Sequence, residues 1–162
     1  MPRVVYLDTG PLGWACYARP SPYQESGQFQ QWMKTALRKR IKIIVPAIAD
    51  YELRRELIRN GSLDSRAKLD MIESGRHPDF PGIISLPLAD AAVKRAAGLW
   101  AEARNKGYAT AQEKALDGDV MIAAQVLEHT GSASRFLVVT TNVKDLARYV
   151  GNRARPWNAI TP

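Results

Sequence analysis

The chain has 162 residues, with 23 lysines and arginines against 16 aspartates and glutamates, for a net charge of +7. At this length we expect a single domain, residues 1–162, that buries roughly 70% of its unfolded surface; its one cysteine, Cys16, excludes an intramolecular disulfide. No apolar run reaches the length of a membrane span or a signal-peptide core, so the expectation is a cytoplasmic protein with no membrane role. The basic excess suits a polyanionic partner as well as it suits solubility.

In chain order, the first element is Val4-Val5-Tyr6-Leu7, a continuously apolar strand that runs into Asp8. Phe29, Trp32, Met33, Ala36 and Leu37 then recur at helical spacing. A second apolar strand follows at residues 41–45, and Pro46 ends it and opens a helix near Ala47. Gly61 follows Asn60 where that helix should stop. Residues 62–75 read as a polar amphipathic segment, and 76–82 as a loop rich in proline and glycine. A third strand lies at 83–86, and a second stripe follows on Ala89, Ala92, Val93, Ala96 and Trp100. After a break at 107–110, Val120, Ile122, Ala123, Ala124, Val126 and Leu127 predict a helix apolar on most sides. Phe136-Leu137-Val138-Val139 is the fourth strand, Gly151 closes a short helix, and Ala159-Ile160 is expected as a small edge strand. Apolar runs without alternation predict strands buried on both faces, and their interleaving with helices predicts an α/β fold around a parallel sheet.

The acidic residues follow this pattern. Asp8 and Asp145 come just after strands, Glu52 lies in the first two turns of the helix after Pro46, and Asp117 and Asp119 open the most apolar helix. The carboxyl edge of a parallel sheet is where ligands bind. Carboxylates gathered there repel one another and resist desolvation, so such a set calls for a cation. Oxygen donors without a histidine or cysteine set point to Mg²⁺ or Mn²⁺, in one or two ions. One ion would activate water and a second would stabilise a leaving oxygen, the chemistry of a metal-dependent phosphodiesterase.

Each acid also has an ordinary explanation. Asp8 could start a turn, Glu52 could pair with Arg55 on its own helix, and Asp117, Asp119 and Asp145 could serve helix starts. Taken together, such independent roles give no reason for acids to recur beside successive buried strands. Asp50, Glu56 and Asp64 read as surface charges, His77 and His129 as non-catalytic, and Trp14, Trp32, Trp100 and Trp157 as core or interface. Asp8-Thr9-Gly10 spells the aspartic-protease triplet, but that chemistry needs two copies on an all-β scaffold. Neither a P-loop nor a dinucleotide-binding glycine pattern occurs.

The motifs Tyr6-Leu7-Asp8-Thr9-Gly10-Pro11-Leu12, Val45-Pro46 with Glu52-Leu53, Asp119-Val120-Met121-Ile122-Ala123-Ala124, and Val139-Thr140-Thr141-Asn142-Val143-Lys144-Asp145-Leu146 run in the order found in the PIN-domain family. The chain resembles that family, including its VapC-type toxins, over almost its whole length. The resemblance implies a three-layer α/β/α sandwich with a mainly parallel, five-stranded sheet, and Mg²⁺- or Mn²⁺-dependent hydrolysis of RNA. It implies Asp8 and Asp119 as central ligands, with Glu52 completing the site directly or through water. Asp145 is the fourth acid, or Asn142 takes that place; Asp117 joins the cluster or caps its helix. Thr9 and Thr140 would orient carboxylates. Arg54, Arg55, Lys144 and Arg148 are candidates to hold the RNA backbone. A homodimer and an antitoxin partner are implied as well. The alternative is a catalytically inactive PIN-like module that binds nucleic acid or acts as a scaffold.

Overall fold

The apolar run Val4–Leu7 becomes β1, the middle strand of the sheet, with Val5, Tyr6 and Leu7 all buried. The computed structural model describes residues 2–108, 117–131 and 135–162. The other strands are β2 (Lys42–Pro46), β3 (Ile84–Leu86), β4 (Phe136–Val139) and β5 (Ala154–Arg155). They line up as β3-β2-β1-β4-β5, and every adjacent pair is parallel. In register, Val5 faces Ile43 on one side and Leu137 on the other.

The helices are α1 (Thr9–Cys16), α2 (Glu25–Arg38), α3 (Ala47–Arg59), α4 (Leu63–Glu73), α5 (Asp90–Asn105), α6 (Gly118–Thr130) and α7 (Val143–Val150). Helices α1 to α4 pack among themselves, and α6 packs against both α5 and α7. With the sheet between them, the helices make a PIN-like α/β/α sandwich. From β1 the chain moves outward to β2 and β3, then returns to β4 on the opposite flank of β1. The reversal falls at the carboxyl ends of β1 and β4, the place where open parallel sheets bind ligands.

Two features depart from the sequence reading. The edge strand expected at Ala159-Ile160 lies instead at Ala154–Arg155, and Trp157–Ala159 forms a 3-10 turn. Ile160 is nonetheless buried, and its carbonyl accepts the Trp32 indole N–H at 2.8 Å. Its apolarity therefore serves packing rather than pairing. Strand β3 is not buried on both faces: Ile84 and Ser85 are exposed, because β3 is an edge with a single neighbour. The break expected at 107–110 begins with Gly107 at φ 77°, and residues 109 and 110 lie outside the described residues.

Helix α6 is buried on nearly every side, from Val120 through Val126. One of those residues is Gln125, 2% exposed. Its Oε1 accepts from Ile48 N at 3.1 Å, and its Nε2 donates to the carbonyls of Leu86 and Pro87 at 3.2 and 3.3 Å. Pro46, at the cap of α3, offers no side-chain oxygen. Gln125 supplies the missing acceptor from across the sheet edge, fixing α3 against α6 and thereby the distance between the residues they carry.

Candidate functional site

Asp8 follows directly on β1 and caps α1 in an extended conformation (φ −74°, ψ 169°). Its backbone N–H donates to Val139 O at 3.0 Å, which locks it to the end of β4. The carboxylate is 5% exposed. Oδ1 accepts from Thr9 N at 2.7 Å, and Oδ2 accepts from the Thr140 hydroxyl at 2.6 Å. Burial raises the Asp8 pKa, while these two hydrogen bonds act the other way. Thr140 is itself buried, and its oxygen also accepts from Asn142 N at 2.8 Å. A single hydroxyl therefore orients the Asp8 carboxylate and shapes the start of α7.

Glu52 reaches the residue beside Asp8 from α3. Its Oε2 accepts from the Thr9 hydroxyl at 2.6 Å, so Glu52 is not the self-paired helix charge that its neighbour Arg55 would allow. Its other oxygen lies against the backbone of Gly118, at the start of α6; a Cβ on that glycine would stand 2.0 Å from Glu52 Oε1. The absence of a side chain at 118 is what lets Glu52 come up beside Asp119.

Asp117 caps α6, accepting from Val120 N at 3.2 Å. Asp119, in the first turn, is half-buried, and the Asn142 side-chain amide donates to its Oδ2 at 3.3 Å. Burial is the largest cause pushing the Asp119 carboxyl up to about 7, followed by the negative charges of Asp8, Asp117, Asp145 and Glu52. The charges of all four of those acids therefore reach Asp119. Asp145 sits at the margin, where its Oδ1 is 3.0 Å from Arg148 Nη2.

The four cations named from sequence have different surroundings. Lys144 and Arg55 are exposed, and Arg55 lies over the Tyr51 ring. Arg148 is half-buried against Asp145. Arg54 is engaged elsewhere: it bonds both oxygens of Asp50 at 2.8 and 3.0 Å, Asp70 at 2.5 Å and Glu73 at 3.1 Å. It serves as a clamp between α3 and α4. Asp50 is correspondingly more than a surface charge, with its side chain only 16% exposed. The histidines are structural. His77 Nδ1 accepts from Asp79 N, and His129 Nδ1 lies 2.7 Å from the Tyr6 hydroxyl.

Sequence reading missed Gly118 and Tyr149. A glycine between two aspartates at a helix start is the available signal for the first. Tyr149 has its phenol pushed up by burial and then by Asp117, which sets it near the acids, and nothing in its sequence context marks it.

Among the described residues, no three acidic, histidine or cysteine side chains stand at the mutual spacing of a formed metal site. In chemical type the set does fit a hard divalent cation. The donors are oxygens, Asp119 is held high by burial and then by surrounding negative charge, and the bare Gly118 backbone leaves room for Glu52. No helix among the described residues is long and apolar enough to cross a membrane.

No protein-family model matches the sequence, and no curated protein aligns with it. Solved structures do share its fold. A chain from the structure of VapBC2 of Rickettsia felis, bound to a DNA fragment from their promoter, superposes with a TM-score of 0.69 at 17% identity, covering 95% of this chain and 98% of that one. FitAcB from Neisseria gonorrhoeae gives 0.61 at 19% identity, covering 94% and 98%. DNA-bound VapBC from Salmonella typhimurium gives 0.59 at 21%, covering 97% and 99%. The likeness in fold runs the length of both partners in each comparison.

Proposed function

We propose that this chain, folded as the VapBC and FitAcB chains are and carrying PIN-like acidic motifs, is a metal-dependent endoribonuclease. What supports the reading is that Asp8 follows β1, that Glu52 accepts from the adjoining Thr9, and that the charges of Asp8 and Glu52 both reach Asp119. Thr140, Thr9 and Asn142 each orient one of these carboxylates.

In this reading Asp8 and Asp119 hold one or two Mg²⁺ or Mn²⁺ ions, with Glu52 and either Asp145 or Asn142 completing the set. A bound ion supplies a lowered pKa for water and a positive field for the phosphoryl oxygens. The chain's own residues do the positioning. Thr140 holds Asp8 Oδ2, and Asn142 holds Asp119 Oδ2, so each carboxylate presents a defined edge. Glu52 Oε2 is taken by Thr9, which leaves Oε1 as the atom that accepts a proton from an incoming water. Lys144, Arg55 and Arg148 hold the backbone of the RNA. The reading extends to a protein antitoxin that covers the site and to a homodimer.

The competing reading is a module that binds nucleic acid without turnover; among the described residues no three acidic, histidine or cysteine side chains form a metal-ligand group. The deciding experiment is cleavage of a pool of structured and single-stranded RNA in Mg²⁺, Mn²⁺ or EDTA. Asp8→Asn and Asp119→Asn are run beside the wild type. Metal-dependent products from the wild type alone establish the nuclease. Tight RNA binding with no products from any sample rejects it in favour of the module.

A further inference from the structure

The carboxylates lie at one edge of the sheet, and charge of the opposite sign gathers at the other. Three strands begin at that amino edge with a cation: Arg3 precedes β1, Lys42 opens β2 and Arg135 precedes β4. Register holds the three together. Val4 pairs with Lys42 on one side and with Phe136 on the other. Arg3 N donates to Arg135 O at 3.1 Å, and Lys42 N donates to Arg3 O at 3.0 Å. At a strand spacing of about 4.8 Å the row spans roughly 10 Å. All three residues are exposed, and so is Arg40, just before Lys42 in the chain. No aspartate or glutamate occurs in residues 1–7, 26–49 or 129–144, the segments that build this edge.

Several cations elsewhere are matched: Lys34, Arg54, Arg59, Arg95, Lys106 and Arg148 each pair with a carboxylate. Among the described residues, Arg3, Arg40, Lys42 and Arg135 pair with none. Part of the charge has an ordinary cause. Helix α2 ends at this edge, and cations suit the negative end of a helix. That accounts for Arg38 in its last turn and for Lys39, whose Nζ donates to Pro162 O at 2.7 Å. It does not account for Arg40. Ile41 N donates to Ala36 O at 3.0 Å and Arg40 N to Leu37 O at 2.9 Å, the closure in which a left-handed residue, most often glycine, follows the helix. Arg40 takes that place at φ 61°, where its Cβ is disfavoured. The other described residues in the left-handed region, from Gly61 to Gly151, are all glycines. A side chain is kept at position 40 against the preference of the backbone, and strain of that kind marks a functional side chain.

We propose that this basic edge is a second RNA-binding surface, which holds the phosphodiester backbone of a long RNA at a distance from the carboxylates. The choice of RNA as the polyanion rests on the nuclease reading above. Arginine forks match phosphate oxygens, and a row of cations neutralises successive phosphates with release of their counterions. A lipid surface is less well served. The apolar neighbours Ile41, Ile43 and Phe136 are buried in the core and Val4 packs against it, so the row carries no apolar side chain to enter a bilayer. Arg3 and Asp8 are five residues apart along β1, about 17 Å at the rise of an extended strand. The phosphate held at the edge is therefore a different one from the phosphate at the carboxylates. The surface contributes affinity for long RNA and takes no part in the bond cleavage.

The test is binding of a long RNA to the Asp119→Asn protein across a range of salt, with and without Arg3→Ala, Arg40→Gly, Lys42→Ala and Arg135→Ala. The slope of log Kd against log salt should fall by about 0.7 for each phosphate contact removed. Arg40→Gly alone should weaken RNA binding while raising Tm by about 2–4 °C, because glycine suits the left-handed position. Weaker binding by a more stable protein is not a folding defect. With Asp119 restored, the four substitutions together should raise KM for the long RNA and leave kcat as it was. A slope unchanged by all four substitutions overturns the proposal, and so does an effect confined to vesicles of anionic lipid. If the wild type still cleaves RNA in a metal-dependent way, either result overturns the proposal alone. RNA binding that depends on these cations, in a wild type that cleaves nothing, keeps the basic surface and overturns the nuclease reading.

Discussion

Gly118→Ala puts a methyl group where a carboxylate oxygen now rests. The added Cβ would stand 2.0 Å from Glu52 Oε1 and 2.7 Å from Glu52 Cδ, against an ordinary contact of about 3.4 Å. The atoms it meets belong to the tip of a flexible side chain, so the backbone stays and the carboxylate retreats by about 1.4 Å. That retreat strains the Thr9–Glu52 hydrogen bond, now 2.6 Å. Hydrogen bonds to charged groups contribute about 1.5–3 kcal/mol, less here because the pair is half-buried and water can replace the hydroxyl. Alanine in place of glycine within a helix returns up to about 1 kcal/mol. The two effects nearly offset, so Tm should move by no more than about 5 °C. Catalysis has no such offset: a misplacement of about 1 Å in a reacting group can cost about 100-fold. Cleavage of single-stranded RNA in Mg²⁺ should therefore fall about 100-fold in kcat/KM while the melting curve scarcely shifts. Glu52→Gln should fall comparably, and the double variant no further, because both changes act on one carboxylate. A Gly118→Ala protein that cleaves at close to the wild-type rate would show that the position of Glu52 against α6 has no part in the reaction.

Other consequences follow from the same geometry. Asp119 has a folded-state pKa of about 7, above its ordinary value of 3.8. The folded protein therefore binds the extra proton, and its stability declines as pH rises from about 4 to about 7. Melting in EDTA across that range should show the decline in the wild type and a flatter curve in Asp119→Asn, and identical curves would refute it. Mg²⁺ should raise Tm more above pH 7 than near pH 5, because a cation and a proton compete for the same carboxyl. Gln125→Leu leaves the Ile48 N–H and the Leu86 and Pro87 carbonyls without their partner. At about 1–3 kcal/mol for a buried unsatisfied group, we expect a loss of about 2–4 kcal/mol in urea unfolding, and an unchanged midpoint would contradict that. Lys144→Ala should lower the slope of log Kd for single-stranded RNA against log salt by about 0.7, the share of one neutralised phosphate. Arg54→Ala should leave the slope alone, because Asp50, Asp70 and Glu73 already hold that guanidinium; a reduced slope would return Arg54 to the RNA surface.

The elements legible in the sequence were those with a strong local signal. Continuous apolar runs marked β1, β2 and β4, and Pro46 marked the passage from β2 to α3. The apolar girth of α6 was equally plain, because a helix buried on all sides leaves no polar stripe to blur its period. The acids were visible because each follows a strand or opens a helix, positions that chain order alone specifies. Local signal was weakest where partners are few. The last strand has only Ala154 and Arg155, paired on one side with Val138 and Val139, and its place depends on where β4 lies.

Sequence by itself thus determined the α/β class, the order of the strands along the chain, and which acids to watch. Tertiary structure decided which partners those residues acquired. Arg54 and Arg55 are neighbours in the chain, yet one is clamped by acids from two helices and the other is exposed, because they leave α3 on different sides. Thr140 and Asp8 are separated by 132 positions and meet at 2.6 Å. Gly118 matters only because α3 carries Glu52 to within a side chain's reach of it. Such contacts depend on the packing of elements distant in sequence, and local preference carries no information about distances of that kind.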